Sequence, residues 1–456
     1  MNIQKKLCGI MAGFLCIILC GTFPVQAQGY WPAGPNVEAV SAVVMEASTG
    51  AILYEKNPHE QLYPASITKI MTTLLALENS DLQEEVTFSY ESVHNIDRNS
   101  THISRDTGEI MTMEQCLYAV MLGSANECAY AVAEHTGKGY DNFVAMMNEK
   151  AASLGCTDTH FNNPHGLTDP EHYTSAYDMA LISQAALENE TFRLITGSKR
   201  YTIPRTNKHP NEETPLVNHH KMLTSYQGEQ QYLYKDCIGG KTGYTDLARN
   251  TLVTFAERDG MTLICVVMKD SVAGQYTDSK ALMDYCFSNF SMWNVSEHES
   301  AYMVKGTANG EIFGTEGSFV ELDEEDQIVL PKNALFTDAS YKAVTAKGEE
   351  QVVAALQYTY DGHVVGKARL KLVAPEVEPY AFEKTSGKDK GSFLEVNLKY
   401  ILLGVLTLVL LAAIIFGIHY FANNFYVIRH NRTIRRNRKK RFKTDRKRNR
   451  RSNLHW

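Results

Sequence analysis

Apolar and polar positions change rhythm several times along the chain, and each rhythm predicts an element. Leu7 to Cys20 is an almost unbroken apolar run. Glu38 to Asn57 holds two strand-like stretches, Ala39–Met45 and Ala51–Tyr54, on either side of Ser48-Thr49-Gly50, and reads as a hairpin. Helical spacing follows over Pro64–Asn79, with proline in the first turn, and then over Glu114–Glu134, Tyr140–Leu154 and Ser175–Glu188. Arg249–Glu257 and Met261–Lys269 are two more apolar strands, joined by Arg258-Asp259-Gly260; Asp-Gly between strands signals a second hairpin. Ser279–Phe290 is expected to close this region as a helix. Hairpins at both ends with helices between them predict an α+β arrangement within the broad α/β class. Its antiparallel sheet is flanked by helices, unlike a doubly wound parallel one.

The texture then shifts. Between Ser300 and Ala374 short alternating runs (Ser318–Leu322, Gln327–Leu330, Gln351–Tyr358 and Ala368–Val373) are separated by turns, which predicts a small all-β domain. Pro375–Ser392 is polar and reads as a linker. From Tyr400 to Ile418 no residue is charged, and nineteen residues at about 1.5 Å each approach the ~30 Å of a bilayer's hydrocarbon core. The expected organisation is a leader at 1–27, a principal domain at 28–298, the β domain at 299–374, a linker at 375–398, a transmembrane helix at 399–421 and a tail at 422–456.

Charge gives this layout a direction. Lys5 and Lys6 precede the first apolar run and Val25-Gln26-Ala27 follows it with small residues where a signal peptidase reads, so cleavage is expected after Ala27. Arg429–Trp456 carries 14 Lys or Arg and a single acid, Asp445, a run expected to stay on the cytoplasmic face and to attract anionic headgroups. The middle of the chain is then extracytoplasmic and the protein single-pass in the cell membrane. Setting aside Lys5, Lys6, Lys399 and the tail, 28 basic residues remain against 51 acidic ones, a charge near −23 that excludes nucleic acid as this region's ligand. Three of the nine cysteines lie in the leader. The other six form no CxxC pair and no metal-like spacing, and several sit in apolar runs, so they read as mostly free thiols.

Three short motifs carry candidate chemistry. In Ser66-Ile67-Thr68-Lys69 a serine and a lysine three apart share a helix face. Serine attacks well only when a neighbouring base takes its proton, and a lysine serves when burial or a nearby cation lowers its pKa. The helix start also offers backbone N–H groups to a developing oxyanion. Ser66 is the chain's only serine with lysine at the third place after it, although composition alone would yield about one such pattern by chance. Ser124-Ala125-Asn126 places a hydroxyl and an amide in one turn, able to relay a proton and hold a carbonyl; by itself it reads as a helix cap. Lys241-Thr242-Gly243 offers a cation and a hydroxyl to a carboxylate, and a glycine where a ligand backbone can approach; by itself it reads as a turn.

Taken in order, at separations of 58 and 117 residues, Ser-x-x-Lys, Ser-x-Asn and Lys-Thr-Gly are similar to the signature of penicillin-binding enzymes and β-lactamases. Within that group the chain resembles the low-molecular-mass D-alanyl-D-alanine carboxypeptidases from about Glu38 to Phe287. Phe143–Asn148 with Leu154-Gly155-Cys156, Phe161–Leu167, Ser175–Ala180 and Gly240–Asp246 all match that family's pattern. The resemblance implies Ser66 as acylated nucleophile, Lys69 as its general base, and Ser124 and Asn126 for proton relay and substrate orientation. It also implies Lys241 and Thr242 on the terminal carboxylate and the N–H groups of Ser66 and Tyr244 as the oxyanion hole, and Gly243 and Tyr244 are counted with them as substrate-binding. No metal and no cofactor is expected. The implied partners are peptidoglycan stem peptides as substrate and β-lactams as inhibitors. Two departures stand out: Glu127 where the family has Asp, and Ala248-Arg249 where it has Ala-Gly. His165 is expected to be structural. A β-lactamase is the nearest alternative, yet no Glu-x-x-Leu-Asn run lies between Ser124 and Lys241; a non-catalytic penicillin-binding sensor is the other.

Overall fold

The computed structural model describes residues 30–299, 320–345 and 352–372. The expected leader, linker, transmembrane helix and basic tail lie outside these residues. Among the described residues no helix is long and apolar enough to cross a membrane.

The first hairpin forms from Ser41–Glu46 and Ile52–Lys56, and the second from Arg249–Arg258 and Met261–Asp270. They join into one antiparallel sheet in the order Ile52–Lys56, Ser41–Glu46, Met261–Asp270, Arg249–Arg258, Cys237–Thr245. Side chains alternate across a strand, so each face needs its own cover. Val43 and Met45 point into a core built with the helices Lys69–Asn79, Met113–Met121, Asn126–Gly137 and Ala176–Leu187. Ala42 and Val44 point the other way, onto Tyr276, Leu282, Met283 and Cys286 of the helix Gly274–Asn289. Burial on both faces explains why Ser41–Glu46 reads as an apolar run instead of an alternating one. The sheet is therefore antiparallel and flanked by helices, as expected.

Details differ where local signals conflict. The helix expected over Glu114–Glu134 is two helices, Met113–Met121 and Asn126–Gly137. They are broken at Ser124, whose φ is +57°. The Lys241-Thr242-Gly243 turn is instead part of the edge strand Cys237–Thr245. Its glycines suit that strand because other chain segments press on it: a Cβ at Gly239 would meet Thr196, and one at Gly240 would meet Val253 and His220. The helix Glu190–Gly197 and the strand pairs Glu85–Thr87 with Ile110–Thr112 and Arg200–Ile203 with Thr214–Val217 are further additions.

A second antiparallel sheet runs Phe290–Asn294, Gln327–Pro331, His363–Leu372, Val352–Tyr360, Ser340–Val344, with Val320–Leu322 also pairing to His363–Leu372. Ile328, Leu330, Leu356, Tyr358 and Val365 fill its core. Its first strand continues directly from the helix Gly274–Asn289, so the two sheets share an element boundary without a spacer. The segment before Ser41 ties them: Trp31 stacks on His363 at 3.9 Å between ring centres and packs on Phe290, while Tyr285 donates to the Pro32 carbonyl at 2.7 Å. The six cysteines of this region are all free.

Candidate active site

The Ser66 turn is built under strain. Ala65–Thr68 form a 3-10 turn that leads into the helix Lys69–Asn79, and Ala65 has φ +51°. With Ser124, that places positive φ at or beside two of the three motifs, each at a cost on the order of 1–3 kcal/mol that the surroundings must hold. The holding contacts are visible. Thr68 Oγ1 donates to the Ala65 carbonyl at 2.9 Å and Thr251 Oγ1 donates to the Pro64 carbonyl at 2.8 Å. The Phe161–Leu167 loop braces the other side, with Thr72 Oγ1 donating to the Pro164 carbonyl at 2.6 Å. Gly166, at φ +86°, lies so close that a Cβ would overlap the Ala65 carbonyl.

Three segments converge on Ser66. Lys69 Nζ donates to Ser66 Oγ at 2.9 Å, to Asn126 Oδ1 at 2.7 Å and to the His165 carbonyl at 2.6 Å. Lys241 Nζ donates to Ser124 Oγ at 3.0 Å and to the Thr242 carbonyl at 2.9 Å. Gly243 brings the edge strand against the nucleophile turn, where a Cβ would stand 2.8 Å from the Ser66 amide nitrogen. Ser66, Lys69, Ser124, Asn126, Lys241, Thr242 and Gly243 thus form one cluster. Tyr244 follows on the same strand with its ring exposed and its hydroxyl on Asp246 at 3.1 Å.

Neither lysine has a carboxylate partner in the cluster, and both are buried, at 0% and 1% exposure. Burial disfavours an ammonium, so both pKa values fall. Lys241 is lowered to about 7 by burial. Lys69 lies well below the usual lysine range, through burial first and the Lys241 charge second. Hydrogen counting shows the chemical consequence. An ammonium has three protons for the three acceptors around Lys69, whereas the neutral amine has two and a lone pair. Of those acceptors, Asn126 Oδ1 and the His165 carbonyl have no proton to give. Only the Ser66 hydroxyl can turn and donate to the amine, which is the geometry of a base poised on a nucleophile.

His165 contributes its backbone, not its ring: the imidazole is buried, its pKa held well below the ordinary value by burial and then by Lys69, and Nδ1 accepts from Leu167 N at 3.2 Å. Arg249 is exposed at φ +58° at the start of the strand Arg249–Arg258, opposite Thr245 of the edge strand. Glu127 is buried and its Oε1 accepts from the Ile103 amide at 2.6 Å. The loop it holds carries Ser100, which accepts from Asn126 Nδ2 at 2.8 Å. Sequence motifs gave no sign of Ser100, whose hydroxyl enters only through tertiary contact, or of the Pro164 and His165 carbonyls, because a backbone acceptor leaves no residue-type signature.

Residues 28–272 match the profile of the D-alanyl-D-alanine carboxypeptidase family, Peptidase S11. The chain is 36% identical over 292 residues to the D-alanyl-D-alanine carboxypeptidase DacF of Bacillus subtilis, covering 63% of this chain and 72% of that protein. It is 32% identical over 270 residues to DacB2 of Mycobacterium tuberculosis, covering 58% and 87%. Among solved structures it resembles the Streptomyces K15 DD-transpeptidase, with a TM-score of 0.52, 29% identity and coverage of 56% of this chain and 100% of that one. A D-alanyl-D-alanine carboxypeptidase from M. tuberculosis H37Rv gives a TM-score of 0.51 at 32% identity, covering 57% and 96%.

Proposed function

The chain belongs to the D-alanyl-D-alanine carboxypeptidase family of serine peptidases, and from that premise we propose the part each residue of the cluster takes in the reaction. The protein is a serine-type D-Ala-D-Ala carboxypeptidase that removes the terminal D-alanine from peptidoglycan stem peptides and binds penicillin. Lys241 and Thr242 hold the substrate's terminal carboxylate. Asn126 orients the peptide, and the strand after Gly243 lies along it. Neutral Lys69 takes the Ser66 proton as Oγ attacks the carbonyl carbon of the penultimate D-alanine. The N–H groups of Ser66 and Tyr244 receive the developing oxyanion. The C–N bond then breaks, and the leaving amine takes the proton from Lys69, passed through Ser124, which leaves Lys69 neutral again. Water attacks the resulting ester with Lys69 again as base, which releases the shortened peptide and restores the Ser66 hydroxyl.

The observation that carries this reading is the pair of hydrogen-bonded groups that meet at the nucleophile turn, Lys69 with Ser66 and Asn126, and Lys241 with Ser124, with Gly243 packed against the Ser66 amide. A β-lactam presents an acylating carbonyl and a carboxylate in similar relation, so it acylates Ser66 as a substrate mimic. The region 28–298 is the catalytic domain, the β domain at 299–374 is its spacer, and residues 399–421 anchor it in the cell membrane with the catalytic face outside.

The test is release of free D-alanine from diacetyl-L-lysyl-D-alanyl-D-alanine by the full-length protein, with Ser66→Ala alongside. Steady release by the parent and none by the variant is expected. A folded parent that traps labelled penicillin at Ser66 yet releases no D-alanine from this peptide would overturn the assignment in favour of a penicillin-binding sensor.

A further inference from the structure

Asn126 has two unlike ends, and the chemistry of Lys69 depends on which end faces it. The side-chain amide is planar, with an acceptor oxygen on one side and a two-proton nitrogen on the other. Its Oδ1 accepts from Lys69 Nζ at 2.7 Å, and its Nδ2 donates to Ser100 Oγ at 2.8 Å. The reversed amide would fill the same space, so the choice falls to a neighbour whose own hydrogen-bonding direction is fixed.

Ser100 is such a neighbour. It closes a turn that starts at Asp97, where Asp97 Oδ1 accepts from the Asn99 N–H at 2.9 Å. The Asp97 carbonyl accepts from the Ser100 N–H at 2.9 Å and from the Ser100 hydroxyl at 2.6 Å. A hydroxyl has a single proton. With that proton on a carbonyl, Ser100 Oγ has only lone pairs to offer Asn126, which requires Nδ2 on this side and Oδ1 on Lys69. The turn is held to the start of the helix Asn126–Gly137 by two further bonds. Asn126 N donates to the Thr101 carbonyl at 3.0 Å, and Glu127 Oε1 accepts from the Ile103 N–H at 2.6 Å.

We propose that Ser100 is a positioning residue for the nucleophile, acting through Asn126. Neutral Lys69 gives its two protons to Asn126 Oδ1 and the His165 carbonyl, which leaves its lone pair for the Ser66 hydroxyl. With the amide reversed, Nδ2 would donate to that lone pair in competition with Ser66, and one Lys69 proton would lose its acceptor. The series from the Asp97 carbonyl through the Ser100 hydroxyl and the Asn126 amide to the Lys69 amine thus sets the direction of every proton, and its free end meets Ser66. Holding one Nδ2 proton on Ser100 also fixes the direction of the other, which no described residue accepts and which is left for the peptide. The inference rests on the parts proposed above for Lys69 and Asn126.

The experiment is a double-mutant cycle on the full-length protein, read as the rate at which labelled penicillin acylates Ser66. Ser100→Ala leaves the Asn126 amide free to turn and lowers that rate about tenfold. Ser100→Thr keeps a hydroxyl for both bonds and stays within about threefold of the parent. In Asn126→Ala no amide is left to orient, so adding Ser100→Ala costs less than about twofold more. A loop that only supports the fold would cost the same factor in either background. Three results would overturn the proposal: a Ser100→Ala rate within about twofold of the parent, an undiminished loss on top of Asn126→Ala, or Ser100→Thr as slow as Ser100→Ala. Release of D-alanine from diacetyl-L-lysyl-D-alanyl-D-alanine is followed in parallel. A parent that is acylated but releases none counts against the carboxypeptidase reading alone, because the cycle is read on acylation and needs no turnover.

Discussion

Lys69 is a buried amine whose proton affinity is lowered by burial and by a second buried amine, Lys241. The reaction proposed here needs the first neutral and the second charged, and the shifts run in that direction: Lys69 lies well below its usual range, while Lys241 is lowered to about 7. The histidines near the site do not confuse the profile. Burial holds His172 at about 3 and His219 and His220 at about 4, with His165 also depressed, so all four stay neutral near pH 7. The kcat/KM for D-alanine release should therefore fall on the acid side as Lys69 gains a proton, and on the alkaline side as Lys241 loses one near 7. Removing the Lys241 charge removes the repulsion that helps keep Lys69 neutral, so the Lys69 pKa rises and the acid limb moves to higher pH. Lys241→Gln should show that upward move together with a loss of about 10–100-fold in kcat/KM from the missing carboxylate contact. A pH–rate profile whose acid limb stays put in Lys241→Gln would separate the two lysines and remove Lys69 from the role of base. Lys69→Arg, which cannot give up its proton, should lose roughly 10²–10⁴-fold in the rate of penicillin acylation at every pH.

At the scale of elements, the loop Phe161–Leu167 and the edge strand Cys237–Thr245 set the position of the nucleophile turn from two sides. Gly166→Ala tests the loop. The new Cβ would overlap the Ala65 carbonyl at a backbone position, φ +86°, that non-glycine residues rarely adopt. Expected are a fall in stability of roughly 2–4 kcal/mol by denaturant titration and a loss of about 100-fold or more in penicillin acylation. Stability and acylation both within twofold of the parent would mean that the loop does not position Ser66. This contact also marks what the sequence made legible. The Ser66–Lys69 pair was legible because i,i+3 spacing on a helix fixes the two side chains regardless of the rest of the fold. The two hairpins were legible for the same local reason. Lys241 was recognisable as chemistry but not as a strand residue, since a glycine-rich run has no apolar alternation, and its pairing with Arg249–Arg258 depends on segments far away. The break at Ser124 was hidden because apolar residues resume at helical spacing beyond it, from Cys128, and helical periodicity does not register a single residue turned to positive φ. Ser100 and the His165 carbonyl enter the site only through tertiary contact, which no local pattern encodes.

For the whole molecule, charge is distributed so as to oppose one topology and favour another. The region from 28 to 398 is strongly acidic, and Arg429–Trp456 carries 14 basic residues against Asp445. An anionic inner leaflet repels the first and attracts the second, by about 1 kcal/mol for each basic group held near the surface. The apolar stretch from Tyr400 to Ile418 lies between the two regions in sequence. The lead-in around Trp31 stays with the folded part, since it bonds Asp361 of the second sheet at 2.9 Å and supports Phe290 at its first strand. Under the proposed topology, with the leader cleaved, the anchor acts from the C-terminal end and the tail is the segment left inside. An epitope placed after Trp456 should resist protease added to intact spheroplasts, while the same treatment strips penicillin-binding activity from the cell surface; detergent should then expose the epitope. Loss of the epitope without detergent would put the tail outside and overturn the anchor. Retention of penicillin binding in the supernatant after alkaline extraction, with no protease used, would show that residues 399–421 do not hold the protein in the membrane at all.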